Sequence, residues 1–158
     1  MSATIEIELT KGKTVLIDAD DSEFSEYAWQ YDQHTGYAKR KFTINGKRVT
    51  KYLHRMVFEK HNSVELLKSE LVDHENNNRL DCTTRNLRLA DYSQNAANKK
   101  FVGNKTGYKW VIASGDEFQG RITWRGEVYI SGKFITAELA FEWSISKASE
   151  LQGDFVKV

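Results

Sequence analysis

The chain has 158 residues, 40% of them hydrophobic and 28% charged, and a net charge of only +1. That length allows one ordinary domain or two to three small modules, and no apolar run is long enough to cross a membrane. The single cysteine, Cys82, excludes an internal disulfide and any cysteine-based zinc cluster, so a metal site has to be built from His, Asp, Glu or Asn.

The small net charge hides segregation. Residues 1–38 carry two basic and eight acidic side chains, residues 39–60 eight basic and one acidic, and residues 79–109 seven basic and two acidic. Two basic blocks in an otherwise acidic chain suit a local anionic partner or, equally, two solvated faces.

The opening MSATIEIELTKG reads as neither a secretory signal nor an Arg-rich transit helix, so a cytoplasmic location is expected. KTVLIDADD predicts a strand running into an acidic turn. EYAWQYD predicts a short amphipathic piece with Tyr27, Trp29 and Tyr31 in the core. GYAKRKFTINGKRVTKYL predicts two strands around Asn45-Gly46, a pair suited to a type I′ hairpin turn. That turn pairs Thr43 with Arg48, Lys41 with Thr50 and Lys39 with Tyr52. Alternation then puts Tyr37, Lys39, Lys41, Thr43, Arg48, Thr50 and Tyr52 on one face. The other face, with Ala38, Phe42, Val49 and Leu53, is core-like.

A basic two-stranded ribbon fits a DNA major groove, and phosphates would supply the counter-charge that facing lysines lack. Tyr37, Lys39, Lys41, Arg48 and Tyr52 are the candidate contacts. The other reading is an edge hairpin armed with lysines against aggregation. LHRMVFEK predicts a short helix with Met56, Val57 and Phe58 partly buried. His54, at its start, is either a ligand or a hydrogen-bonded structural residue, the commoner role beside apolar neighbours.

ELVDH predicts a strand that delivers Asp73 and His74 at its end, and ENNNRLDCTTRN a loop of residues that tolerate tight turns. LRLA returns as a strand, with Leu87 and Leu89 on one side and Arg88 on the other. DYSQNAANKK predicts a helix capped by Asp91 or Ser93, with Asn95 and Asn98 on one face. The Asp73 carboxylate and an Asn carbonyl are oxygen ligands of the kind a hard divalent cation takes. A neutral imidazole nearby can deprotonate water. Asn-rich turns around a buried Asp–His hydrogen bond would leave much the same pattern.

VDH…NNNRLD…RNLRLADYSQNAANK resembles the HNH nuclease motif, whose fold is the ββα-metal finger, in the phage intron-encoded branch with Asn at the third position. The resemblance implies that His74 is the general base and that Asn86 braces the loop and orients His74. It further implies that Asp73 and Asn95 bind one divalent metal ion, Mg or Mn. Cys82-Thr83-Thr84 departs from relatives, which tend to carry Asn and Arg there. The implied activity is site-specific hydrolysis of double-stranded DNA, of the homing type, by a monomer that nicks one strand in a bacterial host cell. The alternative is a DNA-binding regulator that keeps the HNH core as a scaffold and does not cut.

TGYKWVIA, EFQGRITWRG and EVYISGKF each alternate and predict three short strands. ITAELAFEWSISKASELQ predicts a helix from an N-cap at Thr136 to Gly153, with Leu139, Ala140, Trp143, Ile145 and Ala148 near one face. The GYKWV, ISGKF-ITAELA and LQGDF elements resemble the plant ethylene-response-factor (Apetala-type) DNA-binding domain. In that family the sheet lies in the major groove, which makes Lys109, Arg121, Trp124, Arg125 and Tyr129 the implied readers. Trp110 stands where relatives usually have Gly. A β-β-β-α module that mediates assembly is the other reading. The expected fold is therefore α+β in three parts: a β-rich DNA-contacting region over 1–53, a ββα-metal nuclease core over 54–100, and an Apetala-type domain over 104–158.

Overall fold

The computed structural model describes residues 3–158. Met1 and Ser2, part of the stretch on which the cytoplasmic expectation rests, lie outside them. The chain is mixed α and β, with several small sheets, and divides into two compact units, Met1–Ala90 and Asp91–Val158. Among the described residues no helix is long and apolar enough to cross a membrane.

The first unit begins with an antiparallel hairpin, β1 (Thr4–Leu9) and β2 (Lys13–Asp18), closed through Lys11 and Gly12 in the left-handed region. Its alternating Ile7, Leu9, Val15 and Ile17 are all buried. The acidic turn after β2 is a pair of 3-10 turns over Ala19–Glu26. Trp29 is buried, its indole N–H donating to the Phe24 carbonyl at 2.8 Å. Tyr31 lies half-buried in β3 (Gln30–Tyr31), whereas Tyr27 is exposed, edge-on to Phe42.

β4 (Ala38–Ile44) and β5 (Lys47–Tyr52) pair as the turn dictates: Thr43 with Arg48, Lys41 with Thr50, Lys39 with Tyr52. Asn45 and Gly46 have φ of 49° and 74°, as a type I′ turn requires. The hairpin's outer half departs from the core-like expectation, because Val49 and Ile44 are exposed. Only the base of the ribbon, at Ala38 and Phe42, reaches the core.

α1 (Leu53–Asn62) buries Leu53, His54 and Val57 and stops at Ser63, which is left-handed. β6 (Leu71–His74) and β7 (Leu87–Ala90) form the third hairpin of the unit. Leu53, Val57, Val72, Cys82 and Leu87 join Ile7, Val15, Ile17 and Trp29 in one apolar cluster. One apolar cluster thus draws on residues from both sides of position 53. None of the three hairpins alone would bury enough apolar surface to stand by itself.

The second unit holds α2 (Tyr92–Asn98), a three-stranded antiparallel sheet of β8 (Val111–Ser114), β9 (Glu117–Trp124) and β10 (Glu127–Ile130), and α3 (Ala137–Gln152). Asp91 caps α2 in a reciprocal capping box with Gln94. Thr136 caps α3, which ends at Gly153 as the sequence indicates. The buried stripe of α3 is smaller than expected: Ala137, Ala140, Ser144 and Ala148 face inward, while Leu139 is exposed.

Small residues bring α3 close to β9. A Cβ added at Gly120 would overlap both Ser144 Oγ and the Trp143 ring. Gly120→Ala should therefore destabilise this unit by about 1–3 kcal/mol through overpacking. Urea unfolding followed by Trp fluorescence measures it, and an unchanged midpoint would mean that the contact is not close-packed.

Candidate functional site

The Asn-rich segment is a loop tied shut by its own polar side chains. Asn86 spans it: its Oδ1 accepts from the Asn76 N–H at 2.9 Å and its Nδ2 donates to the Asp81 carbonyl at 2.7 Å. Asn76 Nδ2 donates to Asp81 Oδ2, and Asp81 Oδ1 accepts from Thr83 Oγ1, both at 2.7 Å. Asn76 and Asn78 each accept from the backbone N–H two residues on, and Asn77 is left-handed with φ of 63°. That accounts for the density of asparagine: short amides close turns that longer side chains would leave open.

The loop delivers His74 into an aromatic cluster at the end of β6. The His74 ring is 5.1 Å from His54 and 5.6 Å from Tyr37, centroid to centroid, and Tyr37 lies 4.4 Å from His54 and 6.0 Å from Tyr52. Arg79 covers Tyr37 from outside, its guanidinium 5.2 Å from the ring centre. Both histidines are buried. Burial pushes the His74 imidazole down to about 4, against the pull of the Asp73 and Asp81 carboxylates. Burial, helped by His74, also takes His54 well below the ordinary histidine range. His54 Nδ1 is buried without a hydrogen-bond partner. His54, which the sequence favours as a structural residue, thus belongs to the site cluster; no spacing rule links it to His74, and only the packing of α1 brings them together.

Asp73 pairs with Arg88 on the neighbouring strand, Nε to Oδ2 at 3.1 Å. Among the described residues no group of three or more His, Cys, Asp and Glu is arranged to hold a metal ion. What Asp73 offers is one buried carboxylate, a set that suits a hard cation completing its shell with phosphate and water oxygens. A soft metal fits poorly: Cys82 Sγ is 4.0 Å from His74 Nε2, but burial drives its thiol up and so disfavours the thiolate that such a metal binds.

The expected DNA-contacting face of the first unit divides in two. Tyr37 and Tyr52 pack on the histidines, and Lys39 is bound to buried Asp32 at 3.0 Å. Lys41 and Arg48 are exposed farther out on the hairpin.

In the second unit, Arg121 points outward from β9. Trp124 is buried on the opposite face. Tyr129 pairs with Ile122 on that inner side, its ring under Lys147 and its hydroxyl donating to Glu127. Lys109 is also not displayed: its ammonium donates to the carbonyls of Ala97, Lys99 and Lys157. Arg125, at the β9–β10 turn, is exposed and pairs with Asp91 at 3.1 Å. Asn95 is half-buried on α2, its N–H donating to the Asp91 carbonyl. Trp110 has φ of 64°, a backbone conformation that glycine adopts without strain.

Residues 51–97 match the HNH endonuclease family. That segment runs from the end of β5 through α1, β6, the loop, β7 and nearly all of α2, and so contains His54, Asp73, His74, Asn86, Arg88 and Asn95. Comparison with curated proteins found no match, and comparison with solved structures found none.

Burial of neutral His74 has a cost that depends on pH. Its folded value of about 4 lies below the ordinary 6.5, so the unfolded chain binds the extra proton first. The stability that neutral His74 allows is present above about pH 6.5 and is lost as pH falls toward about 4. His74→Gln should flatten that loss in urea midpoints measured across the window. Equal pH slopes in the two proteins would show that His74 titrates normally when folded.

Proposed function

We propose that this chain is a site-specific, nicking DNA endonuclease of the homing type, hydrolysing one phosphodiester at Asp73-His74. The observation that carries the reading is a buried, neutral His74 at a strand end beside Asp73, inside the segment that matches HNH endonucleases. His74 accepts the proton of the attacking water. A phosphate arriving beside it raises its proton affinity from the low value of the free site, because nearby negative charge favours imidazolium. Asn86 fixes the loop so that His74 keeps one orientation.

Asp73 would supply a protein oxygen for one Mg or Mn ion. When bound, such an ion withdraws charge from the scissile phosphate and the leaving 3′ oxygen. Lys41 and Arg48, exposed on the hairpin, are the phosphate contacts this reading keeps, with Arg121 on the outward face of the second unit's sheet as a base reader. The Asp73–Arg88 pair favours a second reading, a DNA-binding regulator in which Asp73 serves as a structural ion-pair partner.

Supercoiled plasmid incubated with Mg²⁺ or Mn²⁺, and with EDTA as control, separates the two. Open circle should appear before any linear form. His74→Ala should slow nicking roughly 100-fold, the usual scale for a general base, while DNA affinity stays unchanged. Cutting by His74→Ala at the wild-type rate would remove His74 as the base, and DNA binding with no cutting in either metal would favour the regulator.

A further inference from the structure

The register of β6 and β7 sets Arg88 directly across from Asp73. Its Nε donates to Asp73 Oδ2 at 3.1 Å, and the two side chains are only 18% and 6% exposed. A pair so withdrawn from water is weakly screened. The guanidinium therefore holds the Oδ2 edge of a carboxylate that a metal cation would also use.

We propose that Arg88 is a competing counter-cation: it keeps divalent metal off Asp73 until a DNA phosphate draws the guanidinium away, so that metal and DNA bind with positive coupling. The inference rests on the reading of Asp73 as a metal-binding carboxylate. Its physical basis is that carboxylate and phosphate present the same oxygen geometry to the planar fork of arginine and compete for it. When Arg88 turns to a phosphate, the buried Asp73 carboxylate loses the Arg88 counter-charge, a cost that a divalent cation offsets. Arg88 is thus a positioning residue acting through Asp73. The coupling is reciprocal: DNA must raise metal affinity by the same factor as metal raises DNA affinity.

The test is Mn²⁺ binding by the full chain, read from the electron paramagnetic resonance of free Mn²⁺, with and without a short synthetic duplex and corrected for the duplex alone. Wild type should bind Mn²⁺ weakly without DNA and more tightly with it, by a factor in the usual coupling range of about 5 to 150. Arg88→Met, which keeps much of the side-chain bulk, should bind Mn²⁺ at least about tenfold more tightly without DNA and show a smaller coupling factor. Arg88→Lys keeps the charge but not the planar fork, so it should bind Mn²⁺ as weakly as wild type without DNA and show a smaller coupling factor with it.

A wild-type coupling factor of one overturns the proposal and requires no variant to fold. So does a folded Arg88→Met protein whose Mn²⁺ affinity is unchanged or weaker. Asp73→Asn separates the two levels of argument. If it binds Mn²⁺ as wild type does, with and without DNA, Asp73 is not a ligand and the metal reading falls together with the inference. If it loses binding while Arg88→Met changes nothing, only the role of Arg88 is refuted.

Discussion

Two backbone hydrogen bonds on the edge of β2 hold the candidate site together. Leu16 donates to the Leu80 carbonyl and accepts from the Cys82 N–H, each at 2.8 Å. Two residues on, Asp18 Oδ2 accepts from both the N–H and the hydroxyl of Thr84 at 2.7 Å. The loop from Glu75 to Asn86 contributes little apolar surface of its own, with only Leu80 and Cys82 packed on the core. Ordering such a segment costs roughly 1–2 kcal/mol per residue of backbone entropy, which its internal Asx turns offset only in part. Pinned to β2, the loop becomes an extension of a strand whose Val15 and Ile17 are fully buried. The N-terminal hairpin is thus part of the site's frame, although it carries no proposed catalytic group.

That frame sets the electrostatics. A carboxylate as buried as Asp73 needs a counter-ion, and the β6–β7 register supplies Arg88. Imidazoles as buried as His54 and His74 stay neutral, which suits a proton acceptor and disfavours a fixed positive charge. Tyr37 and Tyr52 complete the enclosure on the hairpin side. The basic ribbon therefore begins at the histidine cluster and runs outward to Lys41 and Arg48. The proposed binding face and the proposed chemistry are thereby adjacent on one small sheet and one hairpin.

Where a local rule fixes the geometry, the sequence was legible. Asn45-Gly46 determined the turn and hence every cross-strand pair from Thr43–Arg48 to Lys39–Tyr52. The Asp-His step, the Asn-rich loop and LRLA gave β6, its loop and β7. Local rules failed where tertiary packing decides. The β1 strand went unread although Ile5, Ile7 and Leu9 alternate, and Val49 proved exposed because the ribbon extends past its core.

Strand parity already separates the two candidate readers on β9. Arg121 and Trp124 are three apart on one strand, so they point to opposite faces and cannot both address one groove. His54 had no sequence signal of this kind, since its meeting with His74 depends on how α1 packs.

Native-state hydrogen exchange of the Cys82 and Thr84 amides tests most directly whether β2 holds the loop. If it does, both amides exchange only through global opening of the first unit, with the same opening free energy as Val15 and Val57 and the same denaturant dependence. Fast exchange of Cys82 and Thr84 through a local opening, while Val15 and Val57 stay protected, would contradict the account: the loop would then be held by its own asparagines alone.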